Sequence, residues 1–268
     1  MIYKEFNLKQ PLAEYVQLIW ILESENAVEK YEKSRILPDG IVEVIFHYAE
    51  PFITYQSDGT KFKQPQNFAV SQMRKYIEIE SDGKVGFISV RFFPWGAYHF
   101  FKEPIKNFLD QTINAEKLWK EKSNQVIKTL CSTVNHEEKA KIIEQFLLKC
   151  LNKNGENDNQ IDEAIKLIRN SKGQIAIEEI AEKVFLTKRT LERKFLETVG
   201  TSPKIFSRIT RFLNICHHLE EHKNKTLTQL TYECGYYDQA HFNRDFKEFS
   251  GFTPKDFFAK ENVFFANI

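Results

Sequence analysis

Two short stripes of side chains in the C-terminal part of this sequence have types and spacing suited to one kind of chemistry. The first holds Lys188, Arg189, Thr190 and Arg193, and the second holds Gln239, Ala240, His241, Asn243, Arg244 and Lys247. Such side chains fork onto base edges and phosphates, arginine to guanine and glutamine or asparagine to adenine. A helix lying in a DNA major groove presents this set. Any one of these residues alone reads as a solvated charge, so the weight falls on the two stripes sharing one register.

The elements that must position the stripes are written twice, about fifty residues apart. The first copy runs Ile177-Glu-Glu-Ile-Ala-Glu-Lys-Val184, a turn at Phe185-Leu186, then Thr187 to Phe195 and on to Gly200, Pro203 and Phe206. The second runs Leu227 to Gly235, a turn at Tyr236-Tyr237, then Asp238 to Phe246 and on to Gly251, Pro254 and Phe257. Leu191 aligns with Phe242, Arg193 with Arg244, Phe195 with Phe246, and both glycine-to-proline segments coincide. In each copy a two-turn helix buries one apolar face against a second helix across a tight turn. Thr187 and Asp238 suit N-caps, Thr226 with Gln229 makes a capping box, and Ser202-Pro203 and Thr253-Pro254 place a hydroxyl before proline at the first helical position. Gly200 and Gly251 stand where a helix ends in a left-handed residue. Between the copies Phe206, Ile209, Phe212, Leu213, Cys216 and Leu219 predict one long helix over 203–222, which spaces the two reading helices for successive major grooves, about 34 Å apart.

The charge distribution agrees with a polyanionic partner. The chain of 268 residues has a net charge of only +1, yet Lys183 to Arg211 holds eight basic residues against Glu192 and Glu197. Phosphate contacts from this set predict binding that weakens steeply with salt.

Catalytic and metal chemistry have weaker support. Glu43 and His47 share a strand face, but two groups do not make a three-ligand site, and His99 stands apart. His218 and His222, at i,i+4 spacing, read as a solvated pair. Cys131, Cys150, Cys216 and Cys234 have no metal-like spacing, three fall on apolar positions of predicted helices, and buried thiols in a reducing cytoplasm are expected. No cofactor is implied, and the chain reads as a non-enzyme. The N-terminus lacks the apolar stretch of a signal peptide, and no later run reaches the ~20 apolar residues of a membrane span, so a cytoplasmic protein with no membrane association is expected.

The expected fold class is α+β. Before residue 110 short β-branched and aromatic runs (16–22, 41–48, 52–56, 68–71, 76–80 and 85–93) alternate with turns at Pro38-Asp39-Gly40, Ser57-Asp58-Gly59 and Ser81-Asp82-Gly83, predicting an antiparallel sheet or small cupin-like barrel. Helical spacing follows over 115–151. The domains divide as 1–151, a polar linker over 152–160, and an all-α double helix-turn-helix domain over 161–268. Trp20, Tyr48, Arg91 and Trp95 are the candidate effector-binding residues. Arg91, a charge in an apolar strand, either faces an anionic ligand or pairs internally with Glu43 or another carboxylate, the more frequent use.

Residues 160–260 resemble the DNA-binding domain of the AraC/XylS family of bacterial transcription regulators. The resemblance is carried by Glu233-Cys-Gly-Tyr-Tyr-Asp-Gln-Ala-His-Phe-Asn-Arg-Asp-Phe246 and by Phe249-Ser-Gly-Phe-Thr-Pro254. Phe185, where the family usually has glycine, and Ile215, where it usually has alanine, depart from it. Leu37-Pro-Asp-Gly-Ile-Val-Glu-Val-Ile-Phe46 and Val90-Arg-Phe-Phe-Pro-Trp-Gly-Ala97 resemble the paired motifs of an uncharacterised sensor-type domain found ahead of such DNA-binding domains. The resemblance implies a regulator of promoter DNA with double-stranded DNA as partner, a small-molecule effector or a second copy of the chain as further partners, and RNA polymerase if it activates. The competing readings are a DNA-repair type of enzyme carrying a helix-turn-helix module and a protein-interaction sensor without a small ligand.

Overall fold

The computed structural model describes residues 1–25, 31–81, 83–101, 103–152, 159–217 and 225–259. Ten antiparallel strands form the N-terminal part: β1 (Ile2–Phe6), β2 (Val16–Glu23), β3 (Tyr31–Ile36), β4 (Glu43–His47), β5 (Ile53–Gln56), β6 (Lys61–Lys63), β7 (Asn67–Val70), β8 (Ile77–Ser81), β9 (Gly86–Phe92) and β10 (Thr112–Asn114). One sheet has the order β1-β2-β9-β4-β7-β10 and the other β3-β8-β5-β6. The six expected strands are present within a few residues. Strands β1, β3, β6 and β10 are additional; their polar, short or edge character gives no clear period-two signal.

Side-chain parity divides the larger sheet into two working faces. Ile19, Ile21, Val44, Phe46, Ile88 and Val90 pack against α2 (Glu121–Ser132) and α3 (His136–Cys150) through Ile127, Leu130, Ile143 and Phe146. The alternate residues Trp20, Leu22, Ile45 and Phe87 face the smaller sheet, where they meet Phe52 and Ile79. All seven residues of β9 are buried, because both faces of the sheet are covered.

The C-terminal part is helical: α4 (Asn159–Asn170), α5 (Ile177–Lys183), α6 (Lys188–Thr198), α7 (Pro203–His217), α8 (Leu227–Glu233), α9 (Gln239–Ser250) and α10 (Pro254–Phe258), following α1 (Ala115–Trp119). The end of the expected long helix, with His218 and His222, and most of the expected linker lie outside the described residues. Thr187, Asp238 and Thr253 each accept a backbone hydrogen bond as N-caps, Thr226 and Gln229 form the capping box, and Ser202 Oγ accepts from Ile205 N at 3.2 Å. Both inter-helix turns close alike, Leu186 N donating to Ala181 O at 2.9 Å and Tyr236 N to Thr231 O at 3.0 Å. The one-residue excess of the second copy therefore falls at Tyr237, which is 87% exposed.

Phe185 sits in that turn at φ 55°, the conformation Gly235 adopts in the second copy at φ 72°. Its side chain is 91% exposed and packs against little that could offset a strained backbone. Phe185→Gly is expected to raise stability by about 0.5–1 kcal/mol, the strain relief exceeding the added chain entropy of glycine. Urea denaturation checks this, and a less stable variant would contradict it.

The two parts dock through the repeat. Gly200 is at φ +90°, and a Cβ there would lie 2.6 Å from Ile105 Cγ2; at Gly251, φ +76°, a Cβ would lie 2.3 Å from Tyr76 Cε1. Equivalent helix-ending glycines of the two copies thus each receive an N-terminal side chain. Arg35 secures the second seat: its Nη1 donates to Ser250 O at 2.6 Å, its guanidinium pairs with Glu78, and it lies 4.0 and 4.1 Å from the Tyr76 and Phe252 ring centroids.

Candidate nucleic-acid interface and effector cavity

The reading helices α6 and α9 bury Leu191 and Phe195, or Phe242 and Phe246, which turns their polar stripes outward. On α6, Lys188, Arg189 and Arg193 are exposed and Thr190 is half-buried. Lys188 Nζ lies 2.6 Å from Glu178 and Arg193 Nη1 3.3 Å from Glu197. These exposed pairs contribute little and exchange readily for phosphate. On α9, Gln239, Ala240, Asn243, Arg244 and Lys247 are exposed, while His241 is half-buried, its ring centroid 5.9 Å from that of Tyr236.

What aims α9 is a buried ion pair that the sequence reading missed. Asp245 has no exposed surface, and Arg208 of α7 reaches its Oδ1 with Nε at 3.1 Å and Nη2 at 2.6 Å. The same Nη2 lies 2.7 Å from Glu248. These carboxylates hold the Arg208 guanidinium above its ordinary pKa, against the opposing effect of burial. A signal was available: Asp245 lies on the buried stripe that Phe242, Phe246 and Phe249 define, where a lone carboxylate needs a partner. Arg211 Nη1 also donates to Gly235 O at 3.0 Å, tying α7 to the second turn.

A cavity of about 90 Å³ lies between the two sheets, lined by Trp20, Ile45, Phe52, Ile79 and Phe87 together with a few polar groups. Of the four expected effector residues only Trp20 lines it. Arg91 stands behind the lining and pairs internally, with Nη2 2.9 Å from Asp39 and Nε 3.1 Å from Glu43. Tyr48 does not line the cavity: its hydroxyl donates to Glu23 at 2.9 Å and Lys139 covers its ring. Trp95 is also elsewhere, stacked on Phe93 and packed against the core of the first head, because it follows the end of β9 and no longer obeys strand parity.

Among the described residues the polar lining comprises Tyr31, Asp39, Glu43, His47, Gln64 and Ser71, with no lysine or arginine among them. Burial raises the Asp39 carboxyl to about 6, with Arg91 opposing, and lowers His47 to about 4, which keeps it neutral. Gln64 Nε2 donates to Thr54, so its oxygen faces His47 Nε2 at 3.0 Å. His47 Nε2 must then carry the proton, leaving Nδ1 as an acceptor. That atom and Ser71 Oγ have no hydrogen-bond partner among the described residues. Glu43 and His47 do share the cavity face, yet no group of three potential metal ligands occurs among the described residues. Cys216 and Cys234 are buried, Cys150 is half-buried and Cys131 is exposed. No helix among the described residues is long and apolar enough to cross a membrane.

Two helix-turn-helix units in tandem, each with an outward polar stripe, define a DNA-binding domain. Residues 180–260 match the family described as "Helix-turn-helix domain", and residues 4–114 match a "Domain of unknown function (DUF6597)". The C-terminal domain is an AraC/XylS-type helix-turn-helix domain. Over 83 residues the chain is 30% identical to the HTH-type transcriptional activator RhaS of Citrobacter koseri, which is 31% of this chain and 30% of that protein. The chain thus spans under a third of the curated relatives it matches. ToxT from Vibrio cholerae is similar over 90% of this chain and 97% of its own, at 10% identity and TM-score 0.47. An AraC-type regulator from Chromobacterium violaceum is similar over 38% of this chain and 90% of its own, at 24% identity and TM-score 0.35.

Proposed function

We propose that the chain regulates transcription by reading promoter DNA with α6 and α9 in successive major grooves, under control of the N-terminal domain. The observation that carries this reading is the repeated outward stripe. Gln239, Asn243, Arg244 and Lys247 have no hydrogen-bond or ion-pair partner among the described residues, so their full bonding capacity is open to bases and phosphates. Lys188, Arg189, Thr190 and Arg193 of the first head, with Ala240 and His241, complete the contact set. Fluorescence anisotropy with DNA from upstream of the chain's own operon tests the proposal. Gln239→Ala is expected to weaken specific binding by about 1–3 kcal/mol and relax base preference at one position. No binding at low salt would overturn the reading, and equal loss on every sequence would assign Gln239 to phosphate.

Control passes through the cavity wall. Leu37 lines the cavity and is buried in the core of the second head; a Cβ at Gly40 would lie 2.9 Å from Phe206, in the core of the first. Ile77, also in the lining, adjoins Tyr76 on its Gly251 seat. A ligand that displaces this wall shifts both heads, which is the differential contact that coupling requires. Carboxylates with no cation among the described lining residues, and the open His47 acceptor, favour a small apolar molecule bearing a hydroxyl or ammonium group over an anion. Isobutanol or isobutylamine is expected to raise the melting temperature at concentrations where isobutyrate does not; an equal or greater shift with isobutyrate would overturn this. A homodimer on tandem sites and contact with RNA polymerase belong to the same proposal as roles for surfaces outside the two heads.

A further inference from the structure

We infer that the N-terminal domain forms part of the DNA interface itself, with Lys75 supplying a phosphate contact beside the second reading head. This rests on the DNA-binding reading above. A cleft of about 450 Å³ runs between the two domains, and its walls include Lys75 and Tyr76 on one side and Arg244, Lys247, Glu248 and Gly251 on the other. Lys75, Arg244 and Lys247 are all exposed, and none has an ion-pair partner among the described residues. The carboxylates nearby do not cancel them. Glu248 is held 2.7 Å from Arg208 Nη2, and Asp58, which feels Lys75, is fully exposed and screened by solvent.

Three cations converging on one groove repel each other, and a shared anion relieves that repulsion. Its position selects the phosphodiester backbone. Lys247 belongs both to this cleft and to the stripe that presents Gln239 and Asn243, so a strand leaving the groove contacted by those residues passes the cleft next. Lys75 is rigidly placed for such a contact. Its neighbour Tyr76 sits on Gly251, where a Cβ would lie 2.3 Å from the ring, and Arg35 stacks on that ring while bonding Ser250 O at 2.6 Å.

The test measures affinity of the full chain for a random-sequence duplex of about 40 base pairs, long enough for two successive grooves, across a salt series. Removing one phosphate contact by Lys75→Ala is expected to lower the slope of log K against log salt by about 0.9 and to weaken binding about five- to tenfold near 0.1 M salt. Lys75→Glu weakens it further. The ratio of specific to random-sequence affinity stays the same, and Lys63→Ala, a surface lysine paired with Glu50, changes neither quantity. An unchanged slope in Lys75→Ala, or tighter binding, would overturn the inference; tighter binding would mean that this loop obstructs DNA. If the unmodified chain binds no duplex at all, the DNA reading fails instead, so the two failures are distinct.

Discussion

Arg208→Met is expected to destabilise the second reading head by about 3–5 kcal/mol, the loss typical of a buried ion pair broken at one partner. Asp245 is fully buried, and two of its hydrogen bonds come from the Arg208 guanidinium at 3.1 and 2.6 Å. Without the arginine, that buried carboxylate must either stay charged without its ion-pair partner or take up a proton. Either outcome loosens α9 from α7 and removes the orientation on which Gln239, Asn243 and Arg244 depend. Denaturant unfolding should show the loss, and specific DNA binding should fall although no contact residue has changed. The double variant Arg208→Met/Asp245→Leu should recover most of the stability, because no buried charge remains without a partner. A single variant within about 1 kcal/mol of the unmodified chain would contradict the argument.

Arg91→Met is expected to be costly in the N-terminal domain, by about 2–4 kcal/mol at neutral pH, and its cost should depend on pH. Arg91 is 6% exposed and holds both Asp39 and Glu43, which face it across the larger sheet and its connecting loop. The Asp39 carboxyl already titrates near 6, above its ordinary 3.8, so the folded chain binds more protons than the unfolded chain between those values. Stability therefore falls as pH rises through that window and levels off above it. Without Arg91 the Asp39 titration moves higher and the window extends toward neutral pH. The variant should regain part of its loss at pH 5, while the unmodified chain changes less. Thermal unfolding across a pH series measures this, and a loss independent of pH would show that Asp39 is not the group left unpaired.

Local signals carried much of the fold and half of the candidate site. The capping residues Thr187, Thr226, Asp238 and Thr253 act through bonds to residues three positions away, so their roles could be read from spacing. Strand parity likewise predicted that Glu43 and His47 share a face, and both line the cavity; that Arg91 opposes Glu43 was decided by the β4–β9 register. Tyr48 shares the parity of Val44 and Phe46 and so lies on the helix-facing side of the sheet, whereas Trp95 falls outside the cavity because parity ceases beyond the end of β9. Strands β1 and β3 were not legible because they are edge strands whose residues stay exposed or half-buried, so no period-two burial pattern is written in them.

What the sequence by itself determined is the repeat: two helix-turn-helix units, their caps, and the outward stripes of the second helices, all products of contacts within a few turns of chain. Only the tertiary structure decided which surfaces those units meet. Gly200 and Gly251 looked like helix ends and serve also as seats for Ile105 and Tyr76; Arg208 found Asp245 across 37 positions. Lys75, unremarked in the sequence, came to rest beside Arg244 and Lys247. The physical reason is the same in each case: a missing Cβ, a buried charge or a cluster of cations has its effect through whatever lies opposite, and long-range packing chooses that neighbour.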